Sequence, residues 1–320
     1  MKYNIWDDFF LEEAIFYCFV IFITSFLFLR IYGLGRMFFI SFVLTNLVFY
    51  PLLIIACWEK YDNRRQNFHN FIDKIVQEEG EVDLEFNNIN KFYINLDKST
   101  ERRDNMESQI KRLKIKNIER VPGIYGKDLK DIENINIFGE TLKNEFKTIG
   151  VHSKLGCFLS HIKALKRAKE LDIEIALILE DDFIFDFSKK WKKPLKTIID
   201  EAPSDWEIIN LSNFFRGTVK SKDFYISYDD TEFASTMFYL INKKGINRII
   251  ERFSTVTYKN KKKHRPVSDM FLYQNTNSYS VRNPLVPSDI CHGDSNIDDF
   301  ELDWRCSRNM KNIKNLFVEF

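Results

Sequence analysis

The chain has 320 residues and a formal net charge of +1, from 47 basic and 46 acidic side chains. This balance does not favour a polyanionic partner, so we expect no nucleic-acid binding, and the short basic run at residues 261–265 is typical of a solvated loop. The length suffices for one large domain or two small ones.

Hydrophobic residues are concentrated near the N-terminus. Residues 14–32 are almost uninterrupted in their apolar character, and residues 37–58 carry no charge. Each stretch has about the 20 residues that a helix needs to cross a bilayer core. Because only a short Gly-containing turn separates them, we predict a transmembrane helical hairpin, a two-pass anchor whose ends lie on the same side of the membrane. A cleaved signal peptide is disfavoured by acidic residues before the first stretch.

The N-terminus and the part of the chain that follows the hairpin are predicted to lie in the same compartment. Flanking Lys and Arg residues favour the cytosolic side by a small margin. We divide the chain into an N-terminal tail with two spans (1–58), a juxtamembrane helix and linker (59–90), a folded domain (91–295) and a C-terminal tail (296–320). Within the folded domain, strands predicted near 92–96, 118–122, 206–211 and 237–241 alternate with helices. This alternation indicates the α/β class.

The most informative stretch is an apolar run, Ile175–Leu179, that ends on Glu180, Asp181 and Asp182. Such a run predicts a strand buried on both faces, with the three carboxylates at its C-terminal end, where open α/β sheets bind ligands. Hard cations such as Mn²⁺ and Mg²⁺ bind carboxylate and phosphate oxygens. We therefore predict a divalent-cation site at Asp181 and Asp182. The alternative is that these acids solvate a loop or cap the next element.

The cysteines outside the predicted spans give a different expectation. They are Cys157, Cys291 and Cys306, an odd number without paired spacing, which is typical of reduced thiols. We find no close Cys or Cys/His spacing of the kind that indicates a zinc site.

Three stretches taken together resemble glycosyltransferase family 25. They are residues 93–103 (YINLDKSTERR), 155–161 (LGCFLSH) and 179–182 (LEDD), and later matching segments continue in order to about residue 291. The family holds the lipooligosaccharide and collagen galactosyltransferases. The resemblance implies a GT-A-like nucleotide-sugar-binding domain, a UDP-sugar donor that is often UDP-galactose, a glycan, lipid-linked or protein acceptor, Mn²⁺ or Mg²⁺ as cofactor, and inversion at the anomeric carbon.

The resemblance also implies roles for individual side chains. Donor binding is expected at Asn95, Arg102, Arg103, Ser160, His161 and Glu180, with the metal at Asp181 and Asp182. For the two arginines the alternative is a solvated helix start, and for His161 it is a hydrogen-bonded core histidine. The chain departs from the family at Lys98, where Arg is frequent, and at Tyr125, where Asp is frequent. His292 is a candidate late ligand for metal or phosphate.

Inversion in a single displacement requires a base for the proton of the acceptor hydroxyl. Asp269 matches an acidic position of the family, and we take it as the candidate base; the alternative is a cap for a helix at residues 270–274. Two other functions stay open at this point. One is a catalytically degenerate member that serves as a membrane scaffold or binding protein, and the other is a different metal-dependent enzyme acting on a nucleotide or phosphodiester.

Overall fold

A computed structural model describes residues 70, 73–75, 77, 84–126, 152–255 and 267–286. All of them belong to one compact unit, Asn70–Phe320. The predicted transmembrane hairpin, most of the juxtamembrane segment and the C-terminal tail lie outside the described residues. Among the helices that the structure does describe, none combines the length and the apolar character needed to cross a bilayer.

Helices and strands alternate through the described part of the chain, as the sequence pattern predicts. In chain order they are α1 (Leu84–Asn88), β1 (Asn90–Leu96), α2 (Thr100–Arg112), β2 (Ile118–Gly123), α3 (His152–Glu170), β3 (Ile175–Glu180), a 3-10 helix (Phe185–Lys190), α4 (Leu195–Asp200), β4 (Ile208–Asn210), β5 (Phe214–Phe215), β6 (Tyr225–Ser227), β7 (Phe233–Ala234), β8 (Phe238–Asn242), α5 (Lys243–Thr255), α6 (Ser268–Gln274) and β9 (Ser278–Val281).

Seven strands form one mixed sheet in the order β2-β1-β3-β8-β4-β9-β6, and β5 pairs with β7 in a separate two-stranded sheet. Strands β1, β2 and β3 are parallel, β8 is antiparallel to both β3 and β4, β9 is parallel to β4, and β6 is antiparallel to β9. This confirms the α/β class and fits the GT-A-like fold that the resemblance implies.

The sheet is covered on both faces, which explains the uninterrupted apolar runs. In β3, Ala176 and Ile178 belong to one buried cluster, whereas Leu177 and Leu179 belong to a second. The first cluster includes side chains of α3, α5 and α6, and the second includes side chains of α2, α4 and the 3-10 helix. Because successive side chains of a strand point to opposite faces, a strand between two helical layers must be apolar at every position.

The short helix α1 lies within the segment predicted as a linker, and it contributes to the core. Phe86 is fully buried and makes edge-to-face contacts with Phe185 and Trp191. Packing therefore already begins before Lys91. The predicted strand at 206–211 is shorter than expected, since only Ile208–Asn210 joins the sheet.

Candidate functional site

The carboxyl ends of β1 and β3 lie side by side and bring the predicted polar residues together. The two strands are parallel, with Ile94 opposite Glu180, so the next residue of each strand, Asn95 and Asp181, also meet. The Asn95 Nδ2 atom donates to the Oδ2 atom of Asp181 at 2.7 Å and to the Ser99 carbonyl at 3.1 Å. Asn95 thus connects the first acid of the turn to the start of α2.

Arg120, on β2, orients the Asn95 amide. Its Nε atom donates to Asn95 Oδ1 at 3.0 Å, and its Nη2 atom donates to the Asn95 carbonyl at 3.1 Å. The amide oxygen therefore accepts from Arg120 while the amide nitrogen is directed at Asp181. Nothing in the sequence marked Arg120, because its role depends on β2 lying beside β1.

Arg102 is paired with two of the three acids. Its Nη2 atom lies 2.9 Å from Asp181 Oδ1 and 3.3 Å from Asp182 Oδ2. The helix that carries it begins at Thr100, and Ser99 occupies the N-cap position without a side-chain capping hydrogen bond. The guanidinium thus contacts the three-acid segment Glu180–Asp182, which we call the acidic turn. Arg102 is therefore more than a solvated residue at the start of a helix. Arg103 is half-buried and is not among the residues that line the cavity described below.

Asp182 is the least satisfied of the acids. Its Oδ1 atom is buried and has no hydrogen-bond partner among the described residues. Burial raises the pKa of Asp182 to about 7; Arg102 opposes this rise, and the charges of Glu180 and Asp181 add to it. The pKa of Asp181 is also raised by burial, against the opposing effects of Arg102 and Asn95. One guanidinium is therefore shared between Asp181 and Asp182, and these two carboxylates remain short of positive charge.

The last residue of β3, Glu180, is held by hydrogen bonds. Its Oε1 atom accepts from the Thr236 hydroxyl at 3.0 Å and lies 3.3 Å from His161 Nε2, while His161 Nδ1 lies 3.2 Å from the Tyr239 hydroxyl. Burial acts to raise the pKa of Glu180, but the hydrogen bonds from His161 and Thr236 and the charge of Arg102 outweigh it and lower the pKa. His161 is 1% exposed and also lines the cavity described below. It is therefore both a hydrogen-bonded core histidine and part of the cavity wall.

The glycine of the LGCFLSH stretch allows a loop to lie against α3. A Cβ atom on Gly156 would be 2.5 Å from the Gly126 nitrogen and 2.5 Å from the Ile124 carbonyl oxygen, closer than real Cβ contacts allow. Ser160, one turn further along, accepts a hydrogen bond from the Ile124 N–H at 2.8 Å and donates to the Gly156 carbonyl at 2.6 Å. Ser160 therefore contributes by fixing this loop.

These residues enclose a cavity of about 110 Å³. It is lined by Ile94, Leu96, Arg102, Ile124, Tyr125, Gly126, Ser153, Cys157, Ser160, His161, Glu180, Asp181 and Asp182. Tyr125 and Lys98, the two positions that depart from the family, are neighbours here, because the Lys98 ammonium lies 3.2 Å from the centre of the Tyr125 ring. Tyr125 thus contributes an aromatic wall that the sequence did not predict.

Asp269 is not among the residues that line the cavity. Its Oδ2 atom is 3.1 Å from Arg216 Nη2, and its Oδ1 atom accepts from the Met270 N–H at 2.8 Å, in the first turn of α6. Its neighbour Ser268 hydrogen-bonds Thr236, which donates to Glu180. Asp269 therefore contacts the backbone within the first turn of α6, whose N-cap residue is Val267, and its neighbour Ser268 is linked to Glu180 through Thr236. His292 lies outside the described residues.

The carboxylate oxygens of the acidic turn are the kind of ligand atom that a hard divalent cation prefers. Asp181 and Asp182 offer carboxylate oxygens, and Asp182 Oδ1 is a buried acceptor that nothing in the described structure uses. Orphaned buried acceptors are rare in folded proteins, and an ion is one of the ordinary explanations. Arg102 pairs with Asp181 Oδ1 and with Asp182 Oδ2 and leaves Asp182 Oδ1 available.

Comparison with known proteins agrees with this architecture. The sequence model of "Glycosyltransferase family 25 (LPS biosynthesis protein)" matches residues 88–271, more than half of the chain. This range contains β1, the acidic turn and most of α6. The chain therefore belongs to glycosyltransferase family 25.

Curated relatives match a shorter part of the chain. Procollagen galactosyltransferase 2 of Homo sapiens is 34% identical over 126 residues, which are 37% of this chain and 20% of that protein. Procollagen galactosyltransferase 1-B of Xenopus laevis is 30% identical over 128 residues, 38% of this chain and 20% of that protein. A glycosyltransferase 25 family member of Aedes aegypti is 24% identical over 204 residues, 59% of this chain and 31% of that protein. The chain thus spans a fifth of the length of the two procollagen galactosyltransferases.

Proposed function

We propose that this chain is a membrane-anchored, inverting glycosyltransferase that transfers galactose from UDP-galactose to a glycan, lipid-linked or protein acceptor. The observation that carries the proposal is the turn after β3. Two of the three acids there, Asp181 and Asp182, share one arginine, and a buried oxygen of Asp182 has no partner in the described structure. Such an excess of negative charge beside a cavity favours a cation and the diphosphate that it binds.

Arg102 and the acidic turn have complementary tasks in donor binding. A guanidinium can pair with phosphate as well as with carboxylate. Arg102 is bonded to Asp181 and Asp182, which keeps its charge at the cavity. Asn95 and Arg120 hold Asp181 in place, so the acids need not reorganise when the donor enters.

Asp181 and Asp182 would hold Mn²⁺ or Mg²⁺, and such an ion stabilises the negative charge that develops on a leaving diphosphate. Glu180 lies one residue before them and is held by His161 and Thr236. We assign Glu180 and His161 to the wall of the donor site, and Ser160 to the part of α3 that fixes the loop at Ile124 beside it.

The transfer is a single displacement. The acceptor hydroxyl oxygen forms a bond to the anomeric carbon while the bond from that carbon to the phosphate oxygen breaks, and the electron pair leaves with UDP. The proton of the hydroxyl passes to a base on the opposite face of the sugar. We assign this role to Asp269, whose carboxylate is held by Arg216 at the start of α6.

The acceptor and the membrane location rest on other observations. Relatives named procollagen galactosyltransferase make a collagen-like peptide the first acceptor to test. The apolar stretches before residue 59 make a lipid-linked glycan the second. A membrane anchor would keep the enzyme near such a lipid acceptor.

The proposal is tested by measuring UDP release from a panel of UDP-, GDP- and CMP-sugars, with and without Mn²⁺ and with each acceptor. We expect UDP-galactose turnover that requires Mn²⁺. Asp182→Asn should reduce it by at least about 100-fold, as expected when a group that stabilises transition-state charge is removed. The control is Asp200→Asn, because Asp200 is an exposed acid on α4 that pairs with Lys196; its turnover should match wild type.

Asp269→Asn separates chemistry from binding. If Asp269 is the base, this variant loses turnover and keeps its affinity for the donor. No nucleotide-sugar binding by folded wild-type protein would instead favour the scaffold function. Turnover of a nucleotide without sugar transfer would favour another metal-dependent enzyme.

A further inference from the structure

A second group of possible metal ligands lies on the wall of the same cavity. Cys157, His161 and Glu180 each offer one ligand atom, and these atoms all lie within 4.8 Å of one another. Cys157 and His161 are one helical turn apart on α3, so their side chains share a face. Glu180 comes from the end of β3. The sequence alone indicated no zinc site, because the third ligand is brought in only by the fold.

The geometry resembles that of a zinc site more than that of a hard-cation site. Around a tetrahedral zinc ion, neighbouring ligand atoms are about 3.3 to 3.7 Å apart. His161 Nε2 and Glu180 Oε1 are already 3.3 Å apart, and closure of the triad to this spacing requires movement on the order of 1 Å. A thiolate and an imidazole select zinc over magnesium, calcium or manganese.

The second ring nitrogen of His161 has the partner that metal-bound histidines normally have. His161 Nδ1 lies 3.2 Å from the Tyr239 hydroxyl, and such an outer hydrogen bond fixes the orientation of the ring and the nitrogen that faces the metal. Tyr239 is fully buried, so this partner is held by the core. A metal ion can reach the three ligand residues through the cavity, because all three line it.

We propose that Cys157, His161 and Glu180 form a zinc site inside the donor cavity, and that zinc bound there inhibits donor binding. Zinc binding replaces the thiol proton, which is released to solvent, and forms a zinc–thiolate bond. Glu180 turns from its hydrogen bonds with His161 and Thr236 to the ion. The inhibition rests on the proposed function, whereas the site itself does not.

Burial, and secondarily the charge of Glu180, raises the pKa of the Cys157 thiol, so without metal this cysteine is a neutral thiol. It is therefore a poor nucleophile and a poor target for oxidation. Coordination supplies the positive charge that a buried thiolate needs.

Binding is tested on the full chain with Co²⁺ as a spectroscopic probe and then with Zn²⁺ in competition. We expect a near-ultraviolet thiolate-to-cobalt charge-transfer band that Zn²⁺ removes. Cys157→Ser should abolish the band and weaken zinc binding by at least about tenfold. Tyr239→Phe should keep the band but weaken binding by about tenfold, because it removes only the outer hydrogen bond.

Two control variants exclude other ligands. Cys291→Ser and Asp181→Asn should both retain the cobalt band, since neither residue belongs to the triad. A band that persists in Cys157→Ser, or that is absent from wild type at saturating Co²⁺, overturns the site. If Cys157→Ser does not fold, X-ray absorption of the wild-type zinc protein decides the question: one sulfur ligand supports the site and none overturns it.

Inhibition is measured separately. Zinc should raise the apparent KM for the UDP-sugar in wild type and should do so at least about tenfold less effectively in Cys157→Ser. Equal inhibition of both overturns the inhibitory role while the cobalt data stand. A protein without transferase activity would overturn the proposed function and leave the metal titration interpretable.

Discussion

Asp182 and Asp186 are four residues apart and both have buried carboxylate oxygens, yet the groups that compensate their charges differ. Asp186 is fully buried and paired with two cations, since its Oδ1 atom lies 2.9 Å from Arg112 Nη1 and 2.8 Å from Lys189 Nζ. Asp182 shares the single guanidinium of Arg102 with Asp181 and has one oxygen without a partner in the described structure. The pKa values therefore move in opposite directions. Burial acts to raise both, but at Asp186 the hydrogen bonds from Arg112 and Lys189 outweigh it.

This difference separates an acid that is expected to stabilise the framework from the acid that we propose as a cation ligand. A buried carboxylate with two cationic partners satisfies its own charge and belongs to the framework. A carboxylate left short of positive charge costs stability unless a ligand supplies the missing cation. The shortage of positive charge at the turn after β3 therefore supports our proposal of a cation site there, whereas Asp186, in the 3-10 helix that follows, belongs to the framework.

The largest expected effect is on folding, at the paired acid. Asp186→Asn removes the carboxylate that pairs with Arg112 and Lys189 and should lower the free energy of unfolding by about 3 to 5 kcal/mol. Asp182→Asn removes an undercompensated charge and should not lower stability. Urea unfolding of both variants, without metal, measures the difference. Equal loss of stability in the two variants would show that the two acids are not distinct in this way.

The contributions of Asp182 and Asp186 to the free energy of unfolding should depend on pH with opposite signs. The pKa of Asp182 is raised from 3.8 to about 7 on folding, so its contribution to stability is full below pH 4 and is lost as the pH rises through 7. At about 1.4 kcal/mol per pKa unit, the change is on the order of a few kcal/mol. The pKa of Asp186 is lowered, so its contribution is present at neutral pH and is lost as the pH falls below about 4.

Comparing unfolding of wild type with each Asn variant between about pH 2 and 8, in the presence of a chelator, isolates each carboxyl group. The difference between wild type and Asp182→Asn should become less favourable to wild type as the pH rises. A difference that does not change with pH would contradict the raised pKa.

A smaller effect is expected where the Ile124–Gly126 loop lies against Gly156 on α3. In Gly156→Ala the new Cβ meets the backbone of Ile124 and Gly126, which should cost about 1 to 3 kcal/mol of stability through forced backbone shifts and should also raise the donor KM. Gly217→Ala is the matched control, because a Cβ atom at that position would have no neighbour within 4 Å. Thermal unfolding and donor titration of both variants test this; equal behaviour would mean that the loop has room to move.

The smallest effect is expected at Lys98, whose ammonium covers the Tyr125 ring. Lys98→Met should raise the donor KM about two- to fivefold, because an exposed cation–π contact is worth about 0.5 to 1 kcal/mol. Lys98→Arg keeps a cation over the ring and should stay near wild type. A larger loss in Lys98→Met, not rescued by Arg, would point to direct contact between the ammonium and the donor.

The sequence by itself determined the α/β class, the position of the buried strand β3 and the family. These follow from local patterns: the apolar run of β3 is long because both faces are buried, and the three acids end it at the edge where ligands bind. The order of the matching blocks indicated the family, which the comparison confirms.

Only the tertiary structure decided which polar groups meet. Arg120 contacts Asn95 because β2 lies next to β1, and Thr236 and Tyr239 reach Glu180 and His161 because β8 lies next to β3. Cys157 joins a possible metal site only through a strand residue 23 positions later in the chain. Strand order and register set these contacts, and neither can be read from local periodicity, because pairing between distant segments depends on the packing of the whole sheet.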